Sequence, residues 1–183
     1  MIPAFNVSGV LPPFVGDSPA INAAMSPYQT TMTALVKRFA TSSERINILL
    51  GLIAYRAELR SLGFLDGFQW IDGSFVEEIE STRNRPPADV DVVTFARRPV
   101  MSATDWLNVV QANASLFDQA AVKSQFKCDA YLVDLGIDPT LIVRDTRYWF
   151  GLFSHQRDTA LWKGMLAIPL DSDDIQAQQL LVQ

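Results

Sequence analysis

The sequence predicts a single α/β domain, a small mixed β-sheet with helices packed mainly on one face. Three observations point there. Apolar residues recur at 3- and 4-residue spacings through 28–40 and again through 41–62, which is the period of amphipathic helices. Two short runs of aromatic and β-branched residues, 68–71 and 89–95, flank a tight turn and a polar loop, as paired strands do. A third run of this kind, 128–135, follows a further helical stretch, so strands and helices alternate along the chain.

A chain of 183 residues is long enough to bury a core without disulfides or metals, and it fits one domain. No stretch approaches the roughly 20 uninterrupted apolar residues of a membrane span. The first fifteen residues are apolar, but they lack a basic start and are broken by Pro3, Pro12 and Pro13. They do not read as a secretory signal, and a cytoplasmic location is the expectation. The net charge of −5 disfavours a broad nucleic-acid footprint, which is usually basic, and leaves room for a local basic pocket.

Residues 1–27 hold five of the ten prolines and few charges, which predicts an extended or irregular arm along the surface of a domain spanning 28–183. Met32, Leu35, Val36 and Phe39 place a helix over 28–40. Thr41 and Glu44 form a capping box for a second helix, with an apolar stripe of Ile46, Leu49, Leu50, Ile53 and Ala57. Its outward residues are Arg45, Arg56 and Glu58, and Gly63 ends it. A strand over 68–71 then stops at Asp72-Gly73-Ser74, and a turn or two of helix over 75–80 follows. The proline-containing stretch 81–88 is a loop before the second strand, 89–95. Ser102 or Thr104 caps a helix to about Asn113, and another spans 116–126 before the strand at 128–135. The last third reads as a helix over 139–147, strand-like runs at 148–153 and 161–170, and a short terminal helix within 171–183.

Asp89 and Asp91 stand two apart on a predicted strand, so both carboxylates point to one face. Val90, Val92 and Val93 place that strand in the core, where unpaired carboxylates are costly. The pair therefore needs a metal, a basic partner or an open cleft. Mg²⁺ accepts carboxylates together with water and substrate phosphates, which makes this pair half of a metal site. Gly73 and Ser74, at the end of the preceding strand, offer backbone N–H groups and a hydroxyl to phosphate oxygens, although such a pair is more often only a turn.

Other chemistry is thinly represented. Cys128, the single cysteine, reads as a small buried hydrophobe, and His155, the single histidine, as ordinary surface. No serine-hydrolase elbow, P-loop or dinucleotide-binding glycine pattern occurs, and the Cys and His count is too low for structural zinc.

Strand, Gly73-Ser74, short helix, loop and apolar-flanked Asp89-x-Asp91 together resemble the signature of the nucleotidyltransferase superfamily, the polymerase-β-like fold. The likeness covers about residues 66–95 closely and 42–135 in topology. It implies that Gly73 and Ser74 bind a nucleoside triphosphate and that Asp89 and Asp91 hold two Mg²⁺ ions during an in-line displacement. It also implies a third carboxylate from a neighbouring strand. Asp129 and Asp134 fall on opposite sides of that strand, so at most one can join the site; Asp129, at the strand's entry, is favoured, and Asp134 otherwise reads as a strand-end or loop charge.

The chain also looks like small bacterial proteins of that superfamily, through D-G-S-F-V-E, P-x-D-V-D-V-V and W-K-G. That likeness raises Arg157 and Lys163 as phosphate contacts, the alternative being a surface hairpin with Trp162 packed on the core. The reaction implied is nucleotidyl transfer from an NTP to a hydroxyl acceptor, a partner protein in toxin–antitoxin or antiphage systems being one such acceptor. The sequence departs from the pattern where Phe75 follows the serine and where 14 residues separate Ser74 from Asp89, a longer gap than usual. Those departures keep open a degenerate, non-catalytic module that binds a nucleotide or a partner.

Overall fold

A computed structural model describes residues 1–182. Strands β1 (Tyr28–Gln29), β2 (Gly67–Asp72), β3 (Val90–Ala96), β4 (Cys128–Asp134) and β5 (Leu166–Pro169) form one sheet in the order β1-β5-β2-β3-β4. The helices are α1 (Met32–Phe39), α2 (Ser43–Ser61), α3 (Ile79–Arg83), α4 (Ala103–Ala112), α5 (Ala114–Phe117), α6 (Gln119–Phe126), α7 (Pro139–Phe153) and α8 (Asp174–Leu181). The sheet is mixed: β1 runs parallel to β5, β2 antiparallel to both β5 and β3, and β3 parallel to β4.

Alternation along the strands divides the core in two. Ile71, Val90, Val92, Leu166 and Ile168 face one side with α1, α2, α6 and α8. Trp70, Val93, Phe95 and Val133 face the other, covered by Trp149, Phe150 and Phe153 of α7. Most helices thus lie on one face. Gly51 of α2 lets that helix meet the end of α6 closely, since a Cβ there would collide with the Phe126 carbonyl oxygen.

Several elements depart from the sequence reading. Tyr28 and Gln29 are a strand, because their backbone pairs with Leu166 and Ala167 across more than a hundred residues; the helix starts at Met32, capped by Thr31. The cap of α2 is Ser42, one residue after the predicted Thr41, and its side chain accepts from the Arg45 N–H. The buried stripe of α2 is rotated from the predicted one. It runs through Arg45, Ile48, Leu49, Leu52, Ile53, Arg56 and Leu59, and Ala57 is exposed.

Arg45 and Arg56, expected outside, are therefore inside, and both are fully engaged. Arg56 donates to both oxygens of Asp174, at 2.8 and 3.0 Å, to Gln69 and to the carbonyls of Pro169 and Leu170. Arg45 forks onto Glu80 and holds the carbonyls of Phe75 and Glu77. Residues 148–153 continue α7 instead of forming a strand, because Trp149, Phe150 and Phe153 share one helical face against the sheet. The run at 161–170 is a strand only over β5.

The arm is more than a surface layer. Val10 and Leu11 are fully buried, Leu11 accepts a 2.7 Å bond from the Gly164 N–H, and Val10 bridges to Glu77. No helix of the described residues is long and apolar enough to cross a membrane.

Candidate functional site

The ends of three strands make the site. β2 finishes at Asp72, β3 opens just after Asp89, and β4 has Asp129 as its second residue. Since β2 is antiparallel to β3 and β4 is parallel to it, all three ends meet at one edge of the sheet. Asp91 pairs in register with Asp72 on one side and with Asp129 on the other, so three carboxylates form a row on one face. That face is the one α7 covers, and Asp89, two residues before Asp91, continues it.

Gly73 turns the chain away from β2 at φ 83°, and a Cβ there would run into the Asp91 carboxylate. Only glycine suits both the backbone angle and the close approach. Ser74 follows, half-buried, at the start of a single 3₁₀ turn, Ser74–Val76.

Two lysines supply the compensating charge. Lys163, almost wholly buried, lies 3.1 Å from Asp72 Oδ1 and 2.9 Å from Glu77 Oε1, and it donates to the Gly73 carbonyl at 3.3 Å. Its approach to Asp72 is an ion pair without hydrogen-bond alignment, since Asp72 Oδ1 has no hydrogen-bond partner. Gln156 takes the other oxygen of Glu77 at 2.8 Å. Lys123, from α6, lies 2.6 Å from Asp89 Oδ2 and 3.4 Å from Asp129 Oδ2. Gln119, one helical turn earlier on the same face, donates to Asp129 and to the Tyr131 hydroxyl.

The carboxylates are not at ease. Burial pushes Asp72 up to about 7 against the pull of Lys163. Burial, with the like charges of Asp89 and Asp129, pushes Asp91 up to about 6. Burial pulls the Lys163 ammonium down, but Asp72 and Glu77 more than offset it and hold it above the ordinary lysine range. Lys123 is raised by its hydrogen bond to Asp89, and Tyr131 by burial and by Asp129. An acidic row that cannot all ionise comfortably is a place where a cation or a shared proton is favoured.

The structure brings together Gly73, Ser74, Asp89, Asp91, Asp129 and Lys163. It does not bring in Arg157, which stands exposed in the loop after α7 and makes none of these contacts. Lys163 arrives beneath the turn, paired with Asp72 and Glu77 and donating to the Gly73 carbonyl. Asp134 lies at the far end of β4, on the opposite face, 2.6 Å from Arg98. His155 is exposed, with Nδ1 3.2 Å from the Gly151 carbonyl, and Cys128 is buried, its thiol pushed up by burial. Trp162 is 39% exposed and lies beside Phe14 of the arm, their ring centroids 5.9 Å apart.

Asp72, Glu77 and Lys123 belong to the site; the first two stand in the sequence only as the ends of the D-G-S-F-V-E motif, with no role assigned, and Lys123 is not singled out there. Asp72 carried a signal, because it precedes Gly73 at the strand end. Lys123 carried only its i, i+4 spacing from Gln119 on a helix entering the Asp129 strand.

The donor set is all hard oxygen and carries excess negative charge, which suits Mg²⁺. Among the described residues, however, no three His, Cys, Asp or Glu side chains already stand at metal-holding geometry. A groove of about 770 Å³ elsewhere, lined by Met1, Pro3, Met25, Tyr28 and neighbours, touches none of these groups.

No curated protein and no solved structure matches the chain. One family model matches residues 3–169, a span that takes in the arm, every strand and all of the acidic row, and stops short of α8. The chain belongs to that family, which is described as a family of unknown function (DUF6932).

Proposed function

We propose that the chain is a Mg²⁺-dependent nucleotidyltransferase that passes a nucleotidyl group from an NTP to a hydroxyl acceptor. One observation carries the reading: Asp72, Asp91 and Asp129 stand in register across three strands, beside the Gly73-Ser74 turn. The helix–strand alternation from α2 to α7 is consistent with the likeness to the polymerase-β-like fold.

In this reading Asp89, Asp91 and Asp129 hold the metal, which would neutralise phosphate charge and activate the acceptor oxygen. Ser74 and the backbone of the Gly73 turn orient the triphosphate at the rim of the site. Lys163, through Asp72, Glu77 and the Gly73 carbonyl, fixes the shape of that turn. A partner protein is the acceptor that the resemblance suggests, in a bacterial toxin–antitoxin or defence setting and a cytoplasmic location.

A second reading, a non-catalytic module that binds a nucleotide or a partner, is favoured by the commitment of Lys123 to Asp89 and Asp129, two of the carboxylates a metal would need. Thermal shift with Mg²⁺ and each NTP, on the wild type and on an Asp89→Ala/Asp91→Ala variant, tests whether the acidic row holds metal-bound nucleotide, which the transferase reading requires and a partner-binding module does not. Stabilisation by Mg²⁺-NTP that disappears in the variant supports the transferase reading. No shift in either protein favours the module.

A further inference from the structure

We infer that Lys123 is a built-in counter-ion that occupies the divalent-cation position between Asp89 and Asp129, so that metal binds by displacing it. The inference rests on the proposed metal-dependent reading and concerns how that site is filled.

Lys123 Nζ touches one oxygen from each of two carboxylates, one just ahead of β3 and one in β4, 2.6 Å from Asp89 and 3.4 Å from Asp129. A single ammonium thus stands where the two side chains converge, and Mg²⁺ bound by both oxygens would need that same space, at the shorter distances of about 2.0–2.1 Å. The surroundings permit exchange. The Lys123 side chain is 48% exposed, and those of Asp89 and Asp129 are 20% and 19% exposed, so an ion can enter from solvent. The lysine can swing outward on its four-carbon stem without opening a cavity. Gln119 steadies Asp129 from the same helix face while the cation changes.

Lys163 provides the contrast. It is 3% exposed and anchored by two carboxylates and a backbone carbonyl. One lysine is thus a fixed part of the wall and the other an exchangeable occupant. Without Lys123 the acidic pair would repel itself in the metal-free protein, and with it the site stays compact until a doubly charged ion arrives.

The test is direct titration of Mn²⁺ into the full chain without nucleotide, with free Mn²⁺ read by electron paramagnetic resonance. The proteins are the wild type, Lys123→Met, Lys123→Arg and Asp89→Asn/Asp129→Asn. Lys123→Met should bind Mn²⁺ at least about tenfold more tightly than the wild type, the factor expected when one charge-assisted contact no longer competes. Lys123→Arg, which keeps the positive charge, should stay near the wild type, and the double asparagine variant should lose the ion. Equal affinity in the wild type and Lys123→Met, with loss in the double variant, would overturn the counter-ion role and leave the metal site standing. No Mn²⁺ bound by any of the four proteins would overturn both.

Discussion

Asp91 and Asp72 are carboxylates held above their ordinary range, which fixes the sign of their effect on stability. The folded chain keeps their protons up to about pH 6 and 7, whereas the unfolded chain releases them near pH 4. Their contribution to stability is therefore complete below about pH 4 and is lost as pH rises through 6 to 7. Asp91→Asn removes one such loss and one member of the repelling set. In the metal-free protein it should raise stability at pH 8 by about 1–2 kcal/mol, discounted for partial exposure, and flatten the stability profile between pH 4 and 6. Urea unfolding at several pH values measures this, and a variant less stable than the wild type at pH 8 would show that the Asp91 charge is already compensated. The grouping of Asp89 and Asp91 is readable because strand parity needs only local sequence, and parity also shows that Asp129 and Asp134 cannot both join the site. The Lys163 pairing with Asp72 was hidden, because it links positions 91 residues apart whose encounter depends on where β5 enters the sheet.

Helix α2 shows where pattern reading fails and why. Its period was evident, but the buried face was misjudged because arginine is normally exposed, and here two arginines are desolvated inside dense sets of acceptors. Such groups are stable only while every partner is present. Asp174 of α8 accepts from both Arg56 and Arg60, so Asp174→Ala leaves a buried guanidinium with its charge uncompensated. The cost should be about 3–5 kcal/mol in chemical denaturation, whereas Arg56→Met/Asp174→Leu, which removes both charges, should cost much less than either single change. Additive losses in that cycle would mean that the pair acts as two independent contacts. The same dependence on distant partners explains β1, whose two residues are a strand only because β5 lies alongside, and the end of α7, whose aromatics suit a strand until the sheet presents a surface for one helical face.

The arm joins the start of the chain to the site. Residues 1–27 were readable as irregular from their prolines, yet their placement was not, since proline content says what a segment cannot form and nothing about where its apolar residues go. Val10 and Leu11 enter the core, and the Gly9 carbonyl and Val10 reach the segment that carries Glu77 and Glu78, so the arm braces the wall on which Lys163 sits. Close contact of Gly164 with the Pro12 carbonyl ties the arm to the same loop from the other side. A fully buried leucine at such a junction has little room to collapse around, and Leu11→Ala should cost about 2–5 kcal/mol. If the arm is a brace, hydrogen exchange in this variant should quicken at Glu77, Glu78 and Gly164 before it quickens in β3. Uniform acceleration across the sheet would instead make the arm a general part of the core, with no particular hold on the acidic row.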